Sequence, residues 1–226
     1  MPSEPKAPSG HNVRSAKTRE QLLEATIEVI GSVGYEAAST RILAKAANTN
    51  LSAIPYHFGG KKELYLAAAQ MIADYARSRF EEVGALLDEC ADADPRRRFE
   101  DALTHLLHIV LESVEPHSWT SFFARCTYDD DEAFELIHKE AIKPLVDRLA
   151  LAAREMSRPG ARDGEIQLRV SAIVTAIMSF RFLGGIVRRS IDWDEVKGEH
   201  VAQFEAIVRA LCRSNFLADF NIEQYK

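Results

Sequence analysis

The run STRILAKAANTNLSAIPYHFGGKKEL, from Ser39 to Leu64, constrains the fold more than any other stretch of this chain. Ser39 or Thr40 offers a hydroxyl to cap a helix, and Ile42, Leu43 and Ala46 give that helix an apolar side. Ala47-Asn48-Thr49-Asn50 breaks it. Asn tolerates the left-handed backbone of a tight turn, and Asn50 is suited to cap the next helix. Leu51 to about Phe58 then reads as that second helix, with Pro55 tolerated near its first turn. Gly59-Gly60 stops it, and Lys61-Lys62 opens a third. Two short helices about a tight turn, the second with small, polar and aromatic side chains, have the shape that enters a major groove.

This stretch resembles the TetR family of bacterial transcriptional regulators. The residues that carry the resemblance are Thr40-x-x-x-Ala44-x-x-Ala47, Ile54, Tyr56-His57-Phe58, Lys61 and Leu64-Tyr65. Where the family usually reads Ala-Gly-Val-Ser, this chain has Ala47-Asn48-Thr49-Asn50, and Asn replaces Gly at a left-handed position at modest cost. The resemblance implies a DNA-binding head. Tyr56, His57 and Lys61 suit phosphate contacts, as do Lys17 and Thr40. Base reading falls to Arg41, Asn50, Leu51, Ser52 and Ala53: Arg suits guanine, Asn suits adenine, and an apolar side chain meets a thymine methyl.

Charge agrees with that division. The 226-residue chain carries a net charge of −6, so it is not basic overall. Up to residue 62, however, eight Lys and Arg face five Asp and Glu, a local balance of about +3 that leaves −9 on the remainder. DNA binding needs positive charge at the phosphates, not a basic average. The three cysteines, Cys90, Cys126 and Cys212, are sparse and lack a CxxC spacing, which suits a reducing cytoplasm. Residues 1–13, rich in Pro, Ser and Gly, read as a disordered arm and not as a signal peptide or anchor.

The rest of the chain reads as helices. Leu22, Leu23, Ile27, Ile30 and Val33 recur at helical spacing over Ala16 to Val33, with Gly34 as a stop. A long helix is expected from Lys61 to about Cys90. Asp94-Pro95 opens another, striped by Phe99, Leu103, Leu106 and Val110 and ended by Pro116. Ser118 to Tyr128 is the next helix, then about Asp131 to Met156 with a kink at Pro144. Glu165 to Arg189 is the most apolar segment, and Glu195 to Ser214 the last helix. For the apolar segment a membrane span is one reading. It is short for that and holds Arg181, so burial between its own domain and a partner subunit explains it better. In the TetR family the last two helices commonly pair with their copies, which implies a homodimer through those helices.

Other chemistry is weakly supported. His105 and His108 admit a metal site, but their angular positions fit surface or inter-helix histidines better. Asp129 to Glu140 has carboxylates at calcium-loop positions but Phe134 where the loop needs Gly, which excludes an EF-hand. Trp119, Phe122, Phe123 and Met178, with Arg125, Arg181, His105 and His108, are candidates for an effector pocket, and simple core packing is the competing reading. No nucleophile–base pair, phosphate loop or zinc signature stands out, so neither enzyme nor cofactor is expected. The expected protein is all-α: a helix-turn-helix domain over residues 14–60 and a helical effector-binding and dimerisation domain over 61–226. It is expected to be a cytoplasmic, ligand-responsive repressor that binds a near-palindromic double-stranded operator as a dimer. The alternative is a sensing module that does not touch DNA.

Overall fold

The structure, a computed structural model, describes residues 10–88, 94–112, 115–157, 159–192, 194 and 198–213. All regular structure among them is helical: α1 (Gly10–Val33), α2 (Thr40–Ala46), α3 (Ala53–Phe58), α4 (Lys61–Asp88), α5 (Pro95–Leu111), α6 (His117–Asp129), α7 (Glu132–Ile137), α8 (Lys143–Glu155), α9 (Asp163–Ser190) and α10 (Gly198–Arg213). The all-α expectation holds. Residues 1–9 of the expected arm, together with Cys90 and the tail after Arg213, lie outside the described residues, whereas Gly10 to Val13, also assigned to that arm, form the start of α1.

The helices gather into two compact units. The first takes residues up to 73 and 115–137, and the second takes 74–114 and 138 onward, as far as each is described. This partition differs from the expected boundary after residue 60, because α6 packs along α1. The reason is visible in two residues. Gly31 lacks a side chain where the Ser118 carbonyl would stand 2.7 Å from a Cβ, so the backbones of α1 and α6 approach closely. Arg125 on α6 then donates from Nε to the Gly31 carbonyl at 2.8 Å and from Nη2 to the Ser32 carbonyl at 2.6 Å. These carbonyls belong to the last turn of α1, where helices leave acceptors unpaired.

Leu22, Ile27 and Ile30 of α1, Leu43 of α2, Ile54 of α3, Leu64 of α4 and Phe122 of α6 are fully buried apolar residues of this first unit. Gly34, at φ +85°, ends α1 in the left-handed conformation that Gly adopts without penalty. Tyr65 links α4 to the start of α7. Its ring lies 5.3 Å from Phe122, and its hydroxyl donates to Asp131 Oδ2 at 2.6 Å. Asp131 also caps α7, its Oδ1 accepting from the amides of Ala133 and Phe134 at 3.0 Å.

In the second unit, α5 carries the expected stripe. Phe99, Leu103, Leu106 and Val110 join Val83, Leu145, Leu149, Val170 and Ile177 in one core. Asp94 caps α5 by accepting from the Arg96 amide at 3.2 Å, with Pro95 in the first turn. Arg148 lies across Gly84 and pairs with Asp88. Arg98 donates to the Leu87 carbonyl at 2.7 Å and reaches Glu155 at 3.2 Å.

The single helix expected from Asp131 to Met156 is interrupted. A π-helical turn, His138–Ile142, separates α7 from α8. Pro144 lacks an amide hydrogen, and its ring crowds the carbonyl four residues back. The wider turn accommodates both, so the expected kink takes the form of a π-bulge. The most apolar 18-residue stretch of α9 has a mean hydropathy of 1.9, and by length and composition the helix could cross a membrane. Its Ile166, Val170, Ile173, Val174 and Ile177 are nevertheless core residues of the second unit, packed with α5 and α8. Leu168, Leu183 and Ile186 on the same helix are 60%, 53% and 62% exposed.

Candidate nucleic-acid interface

The turn between α2 and α3 arises from local chemistry. The Ser39 hydroxyl accepts from the Ile42 amide at 3.3 Å, so Ser39 caps α2. Asn48 sits at φ +51°, the left-handed conformation expected of it. Its amide returns to the Lys45 carbonyl at 3.1 Å, and the Thr49 amide to the Ala44 carbonyl at 2.9 Å. These bonds satisfy the carbonyls that the end of α2 leaves open.

α3 starts later than expected. Leu51 and Ser52 belong to the turn, and Ser52 holds the N-cap position without a side-chain bond. Asn50 does not cap the helix through its carboxamide. Its backbone carbonyl instead accepts from the Ala53 amide at 2.9 Å. Pro55 is thus the third residue of α3, where an amide hydrogen has no intrahelical acceptor, so the ring is accommodated without a lost bond. Gly59, at φ +92°, closes the helix.

Arg41, Asn50, Leu51, Ser52, Ala53, Tyr56 and His57 line one open groove of about 930 Å³. Of the residues expected at DNA, these seven are brought together. Tyr56 is 74% exposed, with its ring edge-on to His57 at 4.9 Å between centroids. At that exposure Tyr56 is not a core residue, and it lines the groove in contact with solvent.

Lys17, Thr40 and Lys61 are not in the groove lining. Lys17 is exposed on α1, and Thr40 is half-buried at the start of α2. The Lys61 ammonium sits 4.1 Å above the Tyr35 ring, a cation–π contact that the sequence does not reveal. Thr18 and Gln21 of α1, Lys45 of α2, and Asn48 and Thr49 of the turn also line the groove. Lys45 stands one helical turn beyond Arg41 and Gln21 one turn beyond Lys17, and that spacing is the available signal.

The effector candidates divide between the two units. Trp119, Phe122, Phe123 and Arg125 belong to α6 in the first, and His105, His108, Met178 and Arg181 to α5 and α9 in the second. Phe122 is fully buried against Tyr65, and Phe123 lies 6.2 Å from the Phe134 ring. Arg125 is committed to the end of α1. His105 Nε2 stands 3.2 Å from Glu82. His108 is held between two carboxylates, its Nδ1 3.1 Å from Glu112 and its Nε2 against Glu205 of α10. Burial pulls the His108 pKa down, but hydrogen bonds donated to Glu205 and Glu112 and the charges of those carboxylates outweigh it and raise the value above the ordinary one.

Residues 22–68 match the family described as bacterial regulatory proteins, tetR family. Residues 95–218 match the C-terminal domain of the HTH-type transcriptional dual regulator CecR. The chain is 28% identical to the dual regulator CecR of Shigella flexneri, over 84% of this chain and 89% of that protein. A shorter match, 37% identical over 67 residues, is to the nicotine-responsive repressor HdnoR of Paenarthrobacter nicotinovorans, covering 29% of this chain and 34% of that protein. Among solved structures, a transcriptional regulator of Saccharomonospora viridis in complex with choline aligns with a TM-score of 0.60 at 19% identity, over 88% of this chain and 97% of that one. A fatty acid metabolism regulator of Clostridium perfringens aligns with a TM-score of 0.62 at 13% identity, over 84% and 97%. At such identities the structural likeness concerns the fold. The chain therefore belongs to the TetR family of DNA-binding, ligand-responsive transcriptional regulators, with a C-terminal domain of the CecR type.

Proposed function

We propose that this regulator acts in the cytoplasm as a homodimeric repressor whose two α3 helices enter successive major grooves of a near-palindromic operator, roughly 34–36 Å apart or at a longer spacing. The observation that carries the reading is the groove itself, which gathers seven of the ten expected DNA residues around an exposed Tyr56. In this reading Tyr56, His57 and Lys45 hold phosphates, Arg41, expected from the sequence at a base, moves to phosphate because it stands on α2, and Lys61 leaves Tyr35 for the backbone on binding.

The dimer is assigned to α9 and α10. An apolar cleft of about 160 Å³ runs along both, bounded by Ala172, Ala176, Phe180, Phe204, Ile207 and Leu211. Ile207 and Leu211 are 55% and 43% exposed, and a second copy would cover them together with Leu183 and Ile186. A small-molecule effector in the body acts by preferring one of two dimer shapes. It relieves repression only through its differential affinity for them. His105, His108, Met178 and Arg181 remain candidates for that site, whereas Phe122 and Arg125 serve packing. A module that senses ligands without touching DNA is disfavoured by the family.

The test is Tyr56→Ala combined with Lys61→Ala. The double variant is expected to lose operator binding while remaining dimeric on a sizing column. Unchanged binding by a folded double variant would contradict the interface.

A further inference from the structure

We infer that each half-site is read at an A·T pair, with Leu51 against the thymine 5-methyl group and Asn50 on the adenine edge of the same or the adjoining pair. This rests on the operator-binding reading above and makes it chemically specific.

Leu51 is 49% exposed on the groove wall. Packing does not require it, because Ile54 is fully buried and is the core residue of α3. A leucine held in water at the mouth of a groove built for DNA gains from an apolar partner. In the major groove the thymine methyl is the one apolar group that a base pair presents.

Asn50 supplies the complement. Its backbone is fixed, since its carbonyl accepts from the Ala53 amide. Its side chain is exposed, and among the described residues nothing hydrogen-bonds its carboxamide. A carboxamide with a free donor and a free acceptor matches adenine N7 and N6 in a bidentate pair.

Apart from the Ser52 hydroxyl, which accepts or donates to any base and so selects none, the other bases lack a reader on the turn and α3. From Asn50 to His57 the chain has no Arg or Lys to fork onto guanine and no Asp or Glu to accept from cytosine. The cations among the residues that line the groove, Arg41 and Lys45, stand on α2. In a helix-turn-helix that element crosses the backbone, so both suit phosphates.

The test uses the full-length protein and half-sites recovered by random-sequence selection. Each thymine is replaced in turn by deoxyuridine, which removes the methyl and leaves the protein untouched. At one thymine per half-site the wild-type affinity is expected to fall about four-fold per methyl, the equivalent of one buried CH₂ group. Leu51→Ala, with a thermal melt matching wild type, is expected to bind the thymine and deoxyuridine duplexes equally. Asn50→Ala is expected to lose its preference for adenine at that pair or the next. The methyl contact is overturned if deoxyuridine is neutral at every position, if Leu51→Ala keeps the wild-type sensitivity, or if the selected half-sites hold only G·C pairs at their centres. In each of those cases selective binding leaves the operator reading standing. If the folded protein selects no sequence at low salt, both fall together.

Discussion

The Arg125 guanidinium closes over the Gly31 carbonyl at 2.8 Å, tying α6 to the last turn of α1 across 94 residues of chain. Gly31 permits that approach, and Arg125 satisfies the acceptors it exposes. Arg125→Ala should destabilise the protein by about 1–3 kcal/mol, the range for leaving such a group unpaired. Gly31→Ala should cost a similar amount, roughly 1–3 kcal/mol, by driving a Cβ into the backbone of α6. Urea titrations of both variants check this. Wild-type midpoints would mean that the α1–α6 contact is dispensable.

Asn48 occupies a left-handed turn position at φ +51°. Asn48→Gly should therefore be neutral or mildly stabilising, and Asn48→Val should destabilise by roughly 1–2 kcal/mol, since a β-branched side chain resists that backbone. Thermal melts of the pair provide the comparison. Equal losses in both would point to a role for the Asn side chain itself.

His108 joins α5 to α10 through Glu205 while Glu112 holds its other nitrogen. Its folded pKa is raised. The contribution to stability is then fully present below the unfolded value of about 6.5 and is lost as pH rises through the higher folded value. His108→Gln should flatten that decline. The measurement is Tm from about pH 5.5 to 9 for both proteins, a window that brackets the ordinary histidine value. Parallel curves would show that the clamp adds nothing.

Burial pushes the Cys126 thiol up to about 12, with the Asp131 carboxylate adding to the effect. Since the thiolate is the reactive species, Cys126 should resist alkylation at about pH 8 in the native protein and react once it is unfolded. Cys212 is likewise buried. Mass mapping of the modified sites would show this, and rapid native labelling at Cys126 would mean that α6 opens readily.

The helix-turn-helix is legible in the sequence because its signals are local. A capping Ser, an Asn at the turn and a Gly stop lie within twenty-one residues, and Ser39, Asn48 and Gly59 each take the expected place. The start of α3 differs by two residues, because Asn50, read as its N-cap, instead accepts from the Ala53 amide through its backbone carbonyl, which leaves Leu51 and Ser52 in the turn. The features that stay hidden are non-local. Arg125 beside aromatics suggests an effector pocket, whereas its partners are the backbone carbonyls of Gly31 and Ser32. Lys61 suggests phosphate, and the ring that meets it, Tyr35, is twenty-six residues away. Neither pairing leaves a trace in spacing or periodicity.

The proposed role depends above all on this chain selecting a DNA sequence through the α2–α3 surface. The most direct measurement is a salt series of binding to fragments around its own gene, with random DNA as control, for wild type and for the Tyr56→Ala, Lys61→Ala variant. Wild type is expected to bind a fragment tightly and selectively, with log affinity falling linearly in log salt, and the variant is expected to lose that binding. If the folded, dimeric wild type shows no preference for any of these fragments or for any randomly selected sequence at low salt, DNA reading by the α2–α3 surface is contradicted.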